Sequence, residues 1–361
     1  MSMLKFGLGW SRISTFSLAG TLALLCISAL ITSSVLLLSL TTSVTDPTSH
    51  RFNYSQAHRF KPATFEQFGK KDNIFLLILI KSAPTNRLRR MNVRNAYASI
   101  FTKQRSAAKT PSCKVVEGEL NCFYFVIGQT SNSTVMSQLS DELNEFGDLL
   151  VADFTDGYTK LTQKLIFSLD WAVSNHNFQY TLLGDDDTFM NPSRITQWLR
   201  EKLPRRLYAG SVTPYTLVIR NPSHPLWGRW YVPESVYAPA NYPPYVLGIA
   251  YVMSYDVVVE SLVAIALKKQ ELFGVEDAFY GIIMDIIGVT ATQMPKVIHC
   301  AVESCTESWP LVVGPLEDDL LLSYSNSYHA EKAICTPSAP SCGWARIDAK
   351  KYVKLLKLND K

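Results

Sequence analysis

The chain has 361 residues and a formal net charge of +4, with 47% hydrophobic and 18% charged residues. That balance supports a sizeable buried core and excludes an intrinsically disordered chain. The basic residues are scattered, with no basic stripe interleaved with aromatics, so nucleic-acid binding is not indicated.

Residues 1–12 carry Lys5 and Arg12, and no charge follows until Asp46. Within that gap, 18–40 is dominated by Leu, Ala, Ile and Val. About twenty apolar residues cross a bilayer as a helix, so 13–40 is predicted to be one transmembrane anchor. Positive charge stays cytoplasmic, which puts the 1–12 tail in the cytosol and the remainder in a lumen. A cleaved signal peptide is the rival reading, but its apolar region is shorter, about 7–15 residues. Residues 41–72, rich in Thr, Ser, His, Lys and Arg without periodicity, read as a stem.

At Asn73 the character changes. Residues 74–80 form a continuous apolar run, the mark of a strand buried on both faces. Ser82-Ala83-Pro84-Thr85 breaks it, and 87–101 has helical spacing. Further strands are predicted at 122–127, 149–152 and 180–183, and helices at 135–146 and 158–173. Strands alternating with helices predict an α/β fold of Rossmann type, a mostly parallel sheet with helices on both faces. This domain is assigned to 73–310, with 311–361 as a C-terminal extension. Ligands bind beyond the carboxyl ends of such strands, so the loops after Ile80, Gly128 and Leu183 share one rim. The second half is rich in Pro and aromatic residues, with helices predicted near 255–268 and 277–287. No GxGxxG or P-loop occurs.

Cys26 lies in the apolar run, whereas Cys113, Cys122, Cys300, Cys305, Cys335 and Cys342 fall on the lumenal side. An even number suits disulfides in an oxidising compartment. The local pairs 113–122, 300–305 and 335–342 are the simplest assignment, and a zinc site lacks any CxxC pair. Asn53 and Asn132 head N-glycosylation triplets.

Asp185-Asp186-Asp187 follows a buried strand. Alternation along an extended segment points Asp185 and Asp187 to one side, where two carboxylates suit Mg²⁺ or Mn²⁺. The bland reading is a solvated acidic turn. Glu276-Asp277 opens an apolar helix, where acids favour the free N–H groups. The sharper reading has Asp277 accept a proton from an attacking hydroxyl. His299, between Ile298 and Cys300, is either structural or a metal ligand.

Several ordered blocks resemble glycosyltransferase family 31, the β-1,3-galactosyltransferases and β-1,3-N-acetylglucosaminyltransferases. They are Arg89-Arg90-Met91-Asn92-Val93-Arg94, the block from Glu145 through Asp156 and Tyr158 to Lys164, and Asp185-Asp186-Asp187-Thr188-Phe189-Met190-Asn191. The block from Tyr242 through Gly248 to Ser254 and Glu276-Asp277-Ala278-Phe279-Tyr280-Gly281 follow, with His299 at 22 positions beyond Asp277. The resemblance covers roughly Asn73 to Cys300 and implies a GT-A fold. The implied reaction is inverting β-1,3 transfer of galactose or N-acetylglucosamine from a UDP-sugar to a glycan acceptor on protein or lipid, at the Golgi membrane. Asp187 and His299 would hold the Mn²⁺ or Mg²⁺, with Asp185 in the metal shell or at the nucleotide. Asp186 would lie on the nucleotide side and Asp277 would be the general base, while Arg90 and Arg94 read either as forked partners of phosphate or as solvated helix charges.

Three departures stand out. Leu183 replaces a lysine two positions before the triplet, Ile249-Ala250 replaces a glycine-rich turn after Gly248, and Ala96-Tyr97 replaces a Thr-Trp pair. A catalytically impaired lumenal binding protein or chaperone on the same fold is the alternative these raise.

Overall fold

The computed structural model describes residues 73–101, 112–225, 227–299, 304–306, 310–316, 321 and 334–336. The expected tail, anchor and stem, the Asn53 triplet, Cys26, Cys300 and Cys342 lie outside them. Among the described residues no helix is long and apolar enough to cross a membrane.

The first half runs β1 (Asn73–Lys81), α1 (Arg87–Phe101), β2 (Cys113–Val116), β3 (Glu119–Gln129), α2 (Ser133–Phe146), β4 (Leu149–Thr155), α3 (Leu161–Asn175) and β5 (Asn177–Asp185). Next come β6 (Phe189–Met190), α4 (Pro192–Arg200), β7 (Tyr208–Thr213), β8 (Tyr245–Ser254), α5 (Tyr255–Ala266) and α6 (Glu276–Ile286). Short strands close the described chain: β9 (Thr292–Gln293), β10 (Val297–His299), β11 (Ser304–Thr306), β12 (Val312–Gly314) and β13 (Ile334–Thr336).

The main sheet has the order β2-β3-β1-β5-β8-β7-β9, with β4 beside β3. β1 is parallel to β3 and to β5, and β4 is parallel to β3. β2 runs antiparallel to β3, and β8 antiparallel to β5 and β7. The sheet is therefore parallel at its centre and mixed at its flanks, an α/β arrangement with helices on both faces.

Period-two alternation in β1 explains its central place. Leu76, Ile78 and Ile80 enter one core with Val93 and Tyr97 of α1, Leu143 of α2 and Ile195 of α4. Leu77 and Leu79 enter the other, with Leu165 of α3, Val257 of α5 and Phe279 of α6. A strand apolar on both faces has to be covered on both. Each such side chain contributes about 1.5–3 kcal/mol on burial. Local signals set the helix ends. Asn132 Oδ1 accepts from the Thr134 and Val135 N–H groups at the start of α2, and Gly147, at φ 68°, ends that helix.

Cys113 and Cys122 stand opposite one another in β2 and β3 and form a disulfide, the local pair expected from the sequence. β11 pairs with β13 so that Cys305 is opposite Cys335, a placement unlike the sequential pairs 300–305 and 335–342.

The boundary expected at 310 falls inside the fold. Leu311, Val312, Val313 and Leu316 are buried in the first core, and β12 lies between β10 and β6. A three-residue strand between Pro310 and Pro315 is too short to show a period in the sequence.

Parallel β1, β3, β4 and β5 bring their carboxyl ends to one rim, as expected. The Ser82 N–H donates to Val126 O at 3.0 Å and the Asp186 N–H to Lys81 O at 3.1 Å. Antiparallel β8 delivers its amino end to the same place, with Ala250 opposite Gly184.

Candidate active site

Lys81 ends β1, and the strand register sets it beside Asp185. Its Nζ lies 3.2 Å from Asp185 Oδ1 and 2.9 Å from Glu276 Oε2, and it donates to Gly248 O at 3.2 Å. Burial alone would depress this ammonium, but Asp185 and Glu276 outweigh burial and hold it above its ordinary value. The Tyr251 hydroxyl donates to the other oxygen of Glu276. Sequence reasoning missed Lys81 and Glu276 as site residues. The available signal was a lone charge closing an apolar central strand just before a Pro-containing break.

The acidic triplet is not extended. β5 ends at Asp185, and the Thr188 N–H closes a turn onto Asp185 O at 3.2 Å. Strand alternation therefore does not govern where Asp187 points. Asp186 is buried beneath α1, its Oδ2 accepting from Ser82 Oγ at 2.7 Å and Asn86 Nδ2 at 3.0 Å. This geometry makes Asp186 an anchor for the loop rather than a group offered to a nucleotide. Arg89 Nη1 lies 3.5 Å from both Asp186 Oδ1 and Asp187 Oδ2.

Asp185 and Asp187 keep side-chain exposures of 38% and 27%. Enclosure raises the Asp185 carboxyl to about 7, opposed by Lys81 and reinforced by Asp187, although its exposure lets solvent screen part of the rise. Asp187 is also raised, by enclosure and then by Asp186, with Arg89 opposing. Crowded hard-oxygen donors of this kind fit a divalent cation. Among the described residues no group of three metal-ligating side chains occurs. The His299 side chain lies outside the description, but its backbone is placed. His299 stands opposite Gly314 in β12, and Val313 stands opposite Phe189 in β6. Gly314 packs so closely on Thr188 that a Cβ there would sit 2.5 Å from Thr188 Oγ1. Backbone bonds clip the end of the triplet and the residues after it, from Leu316 N–H to Asp187 O at 2.7 Å and from Asn191 N–H to Leu311 O at 2.8 Å.

Asp277 sits in the first turn of α6. Its Oδ2 accepts from the Gly248 N–H at 3.1 Å and its Oδ1 from the Ala278 N–H at 2.9 Å. Burial, with repulsion from Glu276, raises its carboxyl to about 6 against these two N–H groups. Gly248 thus serves Lys81 through its carbonyl and Asp277 through its N–H. A Cβ on Gly248 would lie 3.2 Å from Glu276 Oε2, a tight approach to the carboxylate that Lys81 holds. Ile249 and Ala250 are buried in the core with Phe189 and Met190, so their side chains do not enter the site. Leu183 is likewise in the opposite core, and Lys81 supplies an ammonium beside the triplet.

Arg90 and Arg94 are engaged elsewhere. Arg90, 0% exposed, grips Glu142 with Nε at 2.8 Å and Nη2 at 2.7 Å, and its Nη1 donates to Ser82 Oγ at 3.0 Å. Arg94 makes the same fork on Asp148 at 2.8 and 2.7 Å. Two forks committed to buried carboxylates leave Arg90 as scaffold for the β1–α1 loop and Arg94 as a tie from α1 to Asp148 ahead of β4, in place of the phosphate role expected of them. Lys164 acts similarly, donating to Ser82 O at 2.7 Å and to Asp156 at 2.9 Å.

The galactosyltransferase family matches the chain over residues 89–295. The rat UDP-GlcNAc:betaGal beta-1,3-N-acetylglucosaminyltransferase 7 is 28% identical over 61% of this chain and 53% of its own length. The human N-acetyllactosaminide beta-1,3-N-acetylglucosaminyltransferase 4 is 30% identical over 69% of this chain and 62% of its own. Beta-1,3-galactosyltransferase 5 of Pan paniscus is 26% identical over 61% and 67%. The chain spans about half the length of the rat relative. The matched region takes in Arg89, the acidic triplet, Gly248 and Asp277, bears out the resemblance to glycosyltransferase family 31, and extends over more than half of the chain: the chain belongs to the galactosyltransferase family.

Proposed function

We propose that the chain is an inverting, metal-dependent hexosyltransferase moving N-acetylglucosamine or galactose from a UDP-sugar to a hydroxyl of a glycan acceptor in β-1,3 linkage. The observation that carries this reading is Asp277, fixed by two N–H groups and joined through Glu276 and Lys81 to Asp185. With its carboxyl near 6, Asp277 is largely ionised at neutral pH yet basic enough to take a proton. The acceptor oxygen bonds to the anomeric carbon as the bond from that carbon to UDP breaks, and the hydroxyl proton passes to Asp277. Mn²⁺ or Mg²⁺, held by Asp185 and Asp187 with His299 as a further ligand, would offset charge on the departing diphosphate. Lys81 sits between Asp185 and Glu276 and offsets part of their combined charge. The burial of Ile249 and Ala250 removes the main support for an impaired binding protein. Residues 13–40 are read as a signal anchor holding this domain on the lumenal side of the Golgi membrane, a compartment that suits the Cys113–Cys122 disulfide.

The test is UDP release by the full chain from UDP-N-acetylglucosamine and UDP-galactose, with methyl β-galactoside or methyl β-N-acetylglucosaminide as acceptor, with and without Mn²⁺. Acceptor-dependent, Mn²⁺-stimulated release is expected. Asp187→Ala should weaken Mn²⁺-dependent UDP binding at least about tenfold, or 1.4 kcal/mol. No release with any pair removes the transferase reading, and undiminished metal dependence in the variant moves the ion elsewhere.

A further inference from the structure

Tyr158 is a large aromatic left 50% exposed beside a buried polar site. It opens the short 3-10 turn Tyr158–Lys160 ahead of α3. This turn is fastened to the loop that leads into Asp277. Thr162 Oγ1 donates to Phe273 O at 2.6 Å, and Gly274 lies so near the Thr159 backbone that a Cβ there would sit 3.2 Å from its Cα. The Tyr158 phenol is raised mainly by burial, and the carboxylates of Asp277 and Asp185 add to the rise, so the ring lies within reach of both fields.

A second element completes the surface. The turn Gly228–Trp230 places Trp230 Nε1 2.7 Å from Tyr158 Oη, to which it donates, and Arg229 lies over the Trp230 ring at 4.4 Å and over the Tyr158 ring at 5.5 Å. Arg220 braces the surrounding loop through bonds to Val232 O at 2.7 Å and Tyr237 O at 2.6 Å. The aromatic pair is therefore held in place before any ligand arrives.

A pyranose offers an apolar C–H face and a rim of hydroxyls. Small-molecule sites combine apolar or aromatic walls with a few placed polar groups, and Tyr and Trp provide both in one side chain. We propose that Tyr158, Arg229 and Trp230 form the subsite for the acceptor sugar, whose apolar face lies on the aromatic pair and whose hydroxyl is turned toward Asp277. This proposal rests on the reading of Asp277 as base.

The test measures binding of methyl β-galactoside to the full chain by saturation-transfer NMR, separately from UDP affinity by calorimetry. Trp230→Ala and Tyr158→Ala should each weaken methyl β-galactoside at least about tenfold while UDP affinity and melting temperature hold. Tyr215→Ala, an exposed aromatic outside the turn, should leave sugar binding unchanged. Absence of binding to the wild type, or equal binding by Trp230→Ala, overturns the subsite. Sugar binding that depends on Trp230 in a chain without UDP-sugar turnover would support the subsite while sinking the transferase reading. Trp230→Phe, which keeps an aromatic face but loses the bond to Tyr158, should retain most of the affinity, and a loss as large as that of Trp230→Ala overturns stacking.

Discussion

Lys81 and Glu276, 195 positions apart in the chain, meet as an ion pair of 2.9 Å with both side chains almost wholly buried. The pair pins the end of the central strand to the start of the helix that carries Asp277. Asp185 touches the same ammonium, so the acidic turn and the start of the Asp277 helix share one cation.

Lys81→Met should therefore destabilise the fold by about 3–5 kcal/mol, because it strands the buried Glu276 carboxylate. The double variant Lys81→Met/Glu276→Leu should recover more than half of that loss, since an apolar pair replaces a stranded charge. Urea unfolding of the three chains measures both quantities. A single variant within 1 kcal/mol of wild type would show that the pair does not brace the fold.

Asp277→Asn should lower turnover by about 10²–10⁴-fold while UDP affinity survives. Because the ionised form is the base, wild-type kcat/KM should fall as pH drops through about 6. The stability sign is opposite. A carboxyl raised in the folded state stabilises the fold most below its unfolded value of 3.8, and that contribution fades as pH rises through about 6. A pH–rate profile with no acid limb near 6 would assign the proton to another group.

Arg90→Ala should act on stability and not on donor affinity. It leaves Glu142 buried without its bidentate partner, at about 3–5 kcal/mol. Comparing the thermal midpoint with the UDP-sugar KM separates the roles. A raised KM with an unchanged midpoint would restore the phosphate-binding reading.

Ile249→Ala should destabilise by about 2–5 kcal/mol through the cavity it opens beside Phe189 and Met190, without raising turnover. A rise in turnover would mean that the isoleucine obstructs the site after all.

Much of the α/β core was legible because β1 and β3 are apolar on both faces, and helices such as α2 carry their own caps. Asp277 and the acidic triplet could be singled out as candidates for a similar reason, since each lies at the end of a strongly patterned element. Lys81 was not, because its partners come from residues 185 and 276: the register of β1 on β5 sets the first beside it, and the tertiary placement of α6 brings the second. The arginines misled for the converse reason. Helical spacing put Arg90 and Arg94 on one face, but Glu142 and Asp148, which claim them, lie some fifty residues on. The Tyr158–Trp230 contact joins two loops with no periodic signal at all.

The clips from Leu311 and Leu316 onto Asn191 and Asp187 also order events at the ribosome. The nascent polypeptide carries its aspartates out of the exit tunnel more than a hundred residues before the segment that clasps them. Until residue 316 emerges, the turn bearing those acids lacks its backing, so this corner of the fold is completed late in synthesis.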